Sequence, residues 1–389
     1  MGRVRKNYSQ CFQQVQDRFS GEAGKLFATE HHGYKCTNAV FIRVLFCALC
    51  HIQSLFAICR NLQSCPDDRT VAAAILKTLP TYTELQKRIN EVLAEGLPKN
   101  LLRGRQRLAI DLVLIPYHGL PYKEEREIYR SQPKSGTSHF HAYATCCVIK
   151  KGFRYTVALT PVVKGEEMKE VLRRLLKQCK DIGIRSGLLL VDRGFYSVSV
   201  ISYLKHAQVP FMMPVVIRGK KATKTSPAGG TRKYASWKTS GFDKYEMSTI
   251  KNKKTVKTWF HVGVYCKNLR ARCSKCGGKR GRKAFTFAYY GVRVDRARWM
   301  FETYRKRFGI ETSYRQMHEC RIRTSTRKPI LRLLYFALAM LMRNCWIWFE
   351  RVCVTENGRR KQHRDDYFSF RDLLLRLYNS LNQQHATST

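Results

Sequence analysis

The 389-residue sequence predicts a mixed α/β protein. Three observations carry that expectation: β-rich segments broken by one amphipathic helix between residues 101 and 206, helical segments on either side, and a hydrophobic content of 44%. That content is enough for one large core with attached domains and lies far from the composition of disordered chains.

The first β-rich run is RLAIDLVLIPYHG, from Arg107, which ends in Pro and Gly. SHFHAYATCCVI, from Ser138, and FRYTVALTPVV, from Phe153, follow and read as a hairpin. An amphipathic helix from Gly165 places Leu172, Leu175 and Leu176 on its inner face, and the apolar strand SGLLLV then ends at Asp192. Strand, strand, strand, helix, strand is the order of an RNase H-like core.

Before this core, residues 1–100 read as helical. Asn38 to Arg60 has helical periodicity, Pro66-Asp67-Asp68 opens a second helix running to Leu79, and Thr81 with Glu84 has capping-box spacing for a third. Three short helices in a basic setting suit a helical DNA-binding domain of helix-turn-helix type or, equally, a bundle packed on the core. After the first part of the core, at 101–206, residues 207–285 form a lysine-rich stretch of short alternating segments, expected to be a basic β-rich insertion. The core resumes over 286–356, with one helical run from Asp295 to Glu319 and an apolar helix from Ile330 to Phe349, and residues 357–389 form a basic helical tail.

Lysine and arginine number 72 against 28 aspartate and glutamate, a formal charge of +44 spread along the whole chain. Such a surface repels itself unless a polyanion covers it, and nucleic acid is the polyanion whose counterion release turns this charge into affinity. The most apolar stretches are interrupted by Arg43 and His51, and by Arg332 and Arg343, so no membrane-spanning helix is expected. The N-terminal residues lack the apolar run of a signal peptide, and a cytoplasmic, nucleoid-associated protein is expected. The 15 cysteines fit reduced, buried thiols better than a disulfide framework. Cys266, Cys273 and Cys276 have the look of a zinc knuckle, with only His261 as an obvious fourth ligand, and free thiols are the favoured reading.

Phosphodiester cleavage with two divalent ions needs carboxylates from separate segments converging on one point. Asp111 sits inside an apolar strand, where a lone carboxylate is costly and wants a cation. Asp192 ends a buried strand, at the edge where open sheets place their sites. Tyr304, Arg307 and Glu311 are spaced 3 and 4 apart, on one face of a helix.

That spacing resembles the Tyr-x2-Arg-x3-Glu-x6-Lys signature of prokaryotic insertion-sequence transposases of the DDE class. AIDLVLIPYHG is similar to the family's first-aspartate strand and VDRGFYS to its Asp-Arg-Gly-Phe box, and the likeness spans roughly residues 105 to 345. It implies a metal-dependent DNA nuclease and strand transferase that cleaves at transposon ends and joins the 3′ ends to target DNA. Asp111, Asp192 and Glu311 would be both catalytic residues and ligands of two Mg2+ ions, with Mn2+ able to substitute. Double-stranded DNA, as terminal inverted repeats and target, would be the partner of an expected homodimer.

Tyr304, Arg307, Arg193, Arg315, Arg321 and His318 are the expected DNA contacts near the carboxylates, and Arg280, Arg282 and Lys283 those of the insertion. One position departs from the signature, since His318 stands where the family has lysine. Two other classes compete. A transposase-derived DNA-binding protein would keep the charge and lose a carboxylate, whereas a structure-specific nuclease would lack the Tyr-Arg-Glu pattern.

Overall fold

The computed structural model describes residues 9–30, 32–150, 153–223, 225–268, 282–356, 359–360 and 369–386. The chain opens with helix α1 (Ser9–Gly24), a two-residue hairpin β1 (His32–Gly33) and β2 (Cys36–Thr37), and helices α2 (Asn38–His51), α3 (Leu55–Asn61), α4 (Asp68–Thr78) and α5 (Tyr82–Glu95). Thr37, Ser54, Asp67 and Thr81 cap α2 to α5, each side chain accepting from a backbone N–H three residues on.

The single helix expected from Asn38 to Arg60 is broken. Ile52 adopts a left-handed conformation, φ 57°, which a β-branched residue rarely does. Ser54 then starts a new helix, and the Gln53 carbonyl between them accepts from the Arg323 backbone N–H at 3.1 Å. A long-range bond thus fixes a turn that local periodicity hides.

The core sheet has nine strands: β3 (Arg105–Pro116), β4 (Tyr129–Lys134), β5 (Thr137–Lys150), β6 (Phe153–Val162), β7 (Arg185–Leu190), β8 (Phe211–Pro214), β9 (Gly241–Lys251), β10 (Lys254–Asn268) and β11 (Arg282–Tyr290). Their order is β4-β5-β3-β7-β8-β11-β10-β9, with β6 also on β5. β3, β7 and β8 run parallel and the remaining pairings are antiparallel. Helices α6 (Met168–Asp181) and α7 (Val198–His206) supply the crossovers around β7. The stretch read as an insertion is β-rich, and through β11 and β8 its strands extend the same sheet that carries β3.

Beyond the sheet lie α8 (Ala297–Arg305), α9 (Gly309–His318), α10 (Pro329–Phe349), a short ladder β12 (Thr355–Glu356) and β13 (Arg359–Arg360), and α11 (Phe370–Ala386). The helical run expected from Asp295 to Glu319 is divided by a tighter turn at Lys306–Phe308. Gly309 follows it, and a Cβ there would collide with the Arg154 guanidinium laid across the turn.

Helices cover both faces of the sheet. Cys179 of α6 touches Cys146 of β5, while Tyr314 of α9 bonds the neighbouring Thr145, and adjacent strand residues point to opposite faces. The N-terminal helices dock on this core. Asn90 of α5 bonds both backbone groups of Leu159, Phe12 of α1 stacks on Phe349 of α10 at 5.7 Å, and Arg371 of α11 donates to the Cys50 carbonyl.

Helix α10 is long and apolar enough to cross a membrane by length and composition, yet it is almost wholly buried within the fold. Its two arginines explain the apparent conflict. Arg343 donates to the Arg154 carbonyl and Arg332 to the Thr326 carbonyl, and Asn344 brackets Thr156 through both its amide atoms.

Candidate active site

Strand β3 runs between β5 and β7, and its alternation places Asp111 on the face covered by α9. The carboxylate is buried, 8% exposed as a residue, so a cation beside it is a physical requirement. Arg307 is that cation. Its Nη1 donates to Asp111 Oδ2 at 2.9 Å and its Nη2 to Glu311 Oε1 at 3.1 Å, while the Leu112 N–H donates to Asp111 Oδ1 at 2.9 Å.

Burial pushes the Asp111 carboxyl up to about 6, against the pull of Arg307 and with help from the charge of Asp192. For Arg307, burial works against its charge, but Tyr304, Asp111 and Asp192 outweigh burial and raise its pKa.

Asp192 caps the short turn that follows β7, accepting from the Gly194 N–H at 2.9 Å. It remains partly exposed. Tyr304 locks the same strand end: its hydroxyl donates to the Val191 carbonyl at 3.2 Å and its ring lies 5.2 Å from Phe287 of β11. Tyr314 ties α9 to β3, donating to the Asp111 carbonyl at 3.2 Å and bonding Thr145 at 2.8 Å. Sequence reading missed Tyr314 and Thr145. The only signal was the helical spacing of Tyr314 from Arg307 and Glu311, which does not reveal a partner on another strand.

Asp111, Arg307 and Glu311 therefore form one ion-paired cluster, and Asp192 acts on it through its field. The three carboxylates do not converge as a ligand set: among the described residues, no three acidic, histidine or cysteine side chains lie close enough to share a metal ion. The reason is Arg307, which takes the cation's place between Asp111 and Glu311. Carboxylate oxygens nonetheless suit a hard divalent ion, and the Asp192 charge reaches Asp111, so this pair fits such an ion.

The expected DNA contacts divide into two groups. Arg193, Arg315 and His318 are exposed on the turn and helix that carry the carboxylates. Partial burial, Arg321 and Lys134 hold the His318 imidazole below its ordinary range, so it is neutral at pH 7 and Arg321 is the stronger phosphate group of the two. Arg282 and Lys283 are exposed at the start of β11, about 17 and about 13 Å along the strand from Phe287. Arg280, Cys273 and Cys276 lie outside the described residues.

Cys266 is a free thiol whose Sγ donates to the Trp237 carbonyl. The aromatic residues of this stretch are engaged within the protein. Trp237 packs on Tyr234, Tyr265 on Phe301, and Trp259 lies beneath the ammonium groups of Lys205 and Lys244.

A mixed α/β sheet with one acidic residue on β3 and another just past the end of the adjoining parallel strand β7 has the layout of an RNase H-like architecture. The chain belongs to the transposase DDE domain family, which residues 102–345 match. It is a DDE transposase, a nuclease and strand transferase acting on DNA. Its fold is similar to that of the piggyBac transposase in a cryo-EM synaptic complex with hairpin DNA, with a TM-score of 0.55 at 12% identity over 98% of this chain and 79% of that one. No curated protein matches the chain in sequence.

Proposed function

We propose that Asp111, Asp192 and Glu311 are the catalytic carboxylates of this transposase and that Mg2+, with Mn2+ as a substitute, is its metal. The observation that carries the proposal is a buried carboxylate on β3, held by Arg307 and coupled to Asp192 at the end of β7. Asp111 and Asp192 would hold the ion, and Glu311 would join by leaving Arg307. A divalent ion bound there supplies Lewis acidity for attack on the scissile phosphate. Asp111 must be ionised to serve, Tyr304 holds the end of β7 in place, and Arg193, Arg315 and Arg321 supply positive charge for the DNA strand.

The Tyr-x2-Arg-x3-Glu spacing supports an origin among prokaryotic insertion-sequence transposases, with terminal inverted repeats and target DNA as substrates. A homodimer on DNA and a nucleoid-associated location belong to the same reading. So does the division into a helical DNA-binding segment over 1–100, a core over 101–206 and 286–356, a basic accessory stretch over 207–285 and a helical tail over 357–389.

Cleavage requires Mg2+ or Mn2+, and activity undiminished by exhaustive EDTA would remove the metal mechanism. Affinity for the ion, read by Mn2+ calorimetry, should fall about tenfold per pH unit below about pH 6, where Asp111 takes up a proton. The sign for stability is opposite to that of a typical ion-paired carboxylate. Between 3.8 and about 6 the folded chain holds a proton that the unfolded chain releases, so the Asp111 contribution to metal-free stability falls as pH rises through that window. Metal affinity constant from pH 5 to 7 would exclude Asp111 as a ligand.

Binding to duplex DNA should weaken linearly on a log-log salt plot, with a slope of about −0.9 for each phosphate contacted. Replacing Arg280, Arg282 and Lys283 with Ala should weaken end binding and flatten that slope without altering Mn2+ affinity. An unchanged slope would make the basic stretch a solvated face.

A further inference from the structure

Four residues beyond Asp111 on β3, the same face of the sheet opens into a cavity of about 450 Å³. Ile115 and His141 are register partners there, as Asp111 and Thr145 are nearer the carboxylates, and alternation puts all four side chains on one face. Four strand residues span about 13 Å, which is about four nucleotides at 3.4 Å per nucleotide of one strand.

The cavity is unusual in charge. Arg321 and Arg332 both line it, burial first and then the Arg321 charge disfavour the charge of Arg332, and Arg332 is only 9% exposed. Arg327 lies at its rim, and none of the lining residues is a carboxylate. Among the described residues no acidic side chain pairs with either Arg321 or Arg332, and Arg332 has only the Thr326 carbonyl and the Tyr117 ring as partners, so two part-buried guanidinium groups lack a counter-charge that an anion would supply.

The remaining walls are aromatic and neutral-polar. The Tyr117 ring lies beneath the Arg332 guanidinium at 4.6 Å and meets the His141 ring edge-on at 4.8 Å. His141 is 5% exposed, and its Nε2 has no hydrogen-bond partner. Cations for a phosphate, an aromatic wall for a ring and an unused imidazole nitrogen are the elements of a nucleotide site.

We propose that this cavity binds one phosphate-bearing, unpaired nucleotide of the DNA strand that passes the carboxylates, with Arg321 and Arg332 on the phosphate and Tyr117 and His141 against the base. The assignment rests on the reading of the protein as a DNA-cleaving enzyme, but its test needs no cleavage. Binding is measured by fluorescence anisotropy in EDTA, using a blunt 20-base-pair duplex and the same duplex with a four-nucleotide single-stranded extension.

The full-length protein is expected to bind the extended duplex at least about tenfold more tightly, the size of one or two charge-assisted contacts. Arg321→Gln removes one of those contacts. Ser325→Trp blocks the cavity from its exposed rim and leaves the buried walls untouched. Both variants should erase the gain, and Ser325→Trp, at a residue with no part in general DNA binding, should leave blunt-duplex affinity within about twofold, which keeps the general DNA-binding reading separate from this one.

Methylphosphonate linkages in the extension should abolish the gain, as should abasic nucleotides in part. No gain in the unsubstituted protein, or a gain that survives in both variants, overturns the proposal. Suppression of the gain by millimolar inorganic phosphate as effectively as by thymidine 5′-monophosphate would assign the cavity to free phosphate and overturn its assignment to a strand.

Discussion

Replacing Asp111 or Asp192 with Asn, or Glu311 with Gln, is expected to lower DNA cleavage by about three orders of magnitude, or about 4 kcal/mol of transition-state stabilisation. DNA binding should change little, because the +44 charge that drives it is spread over the whole surface. The three variants should differ in stability. Glu311 is half exposed, so its loss releases one Nη of Arg307 at a cost of a few tenths of a kcal/mol, whereas Asp111→Asn leaves the buried Arg307 guanidinium without its inner partner. Cleavage of an end-labelled substrate, run beside anisotropy titrations on the same preparations, separates the two effects. A variant that retains full cleavage would not belong to the site.

Arg307→Ala should have the largest effect on the fold itself. It strands Asp111, which no other cation reaches by an ion pair among the described residues, and the loss is expected to be about 3–5 kcal/mol in metal-free protein. A chain of this size should then melt roughly 5 °C lower, at about 1.2 °C per kcal/mol for an unfolding entropy of about 2.1 cal/mol/K per residue. The double substitution Arg307→Ala with Asp111→Asn should recover much of that loss, because removing both members of a buried pair is close to neutral while removing one is not. Mn2+ should also rescue the single variant more than the unsubstituted protein, since an ion then supplies the missing charge without competition from Arg307. A double variant no more stable than Arg307→Ala would mean that Arg307 stabilises the protein by packing against Tyr304 and Phe308 and not by its charge.

The sequence singles out three carboxylates because each violates its surroundings in a way that periodicity exposes. Asp111 interrupts an apolar strand, Asp192 ends one, and Glu311 shares a helical face with Tyr304 and Arg307. Periodicity has no access to partners. Nothing in the spacing of Arg307 says that it reaches a strand 196 residues earlier, and so a site legible as three metal ligands is organised around a guanidinium. The same limit hid the break at Ile52, which depends on Arg323, and the continuity of β9, β10 and β11 with the core sheet, which depends on pairing with β8. Aromatic residues among lysines look alike in sequence whether they face DNA or, as Trp259 does, lie beneath the protein's own ammonium groups.

The span between Asp111 and Arg307 also bears on the life of the chain before it is complete. At about 5–20 residues per second, a ribosome needs roughly 10–40 s to add the 196 residues that separate them. Helix α10, whose packing against β6 and α1 closes the core, emerges later still. During that interval the nascent chain already carries a large positive charge and can hold nucleic acid, but it contains no assembled nuclease. Cutting power would arrive only once Glu311 and α10 have been made, after most of the core has been committed. Fragments left by early termination would therefore be DNA ligands without being DNA hazards.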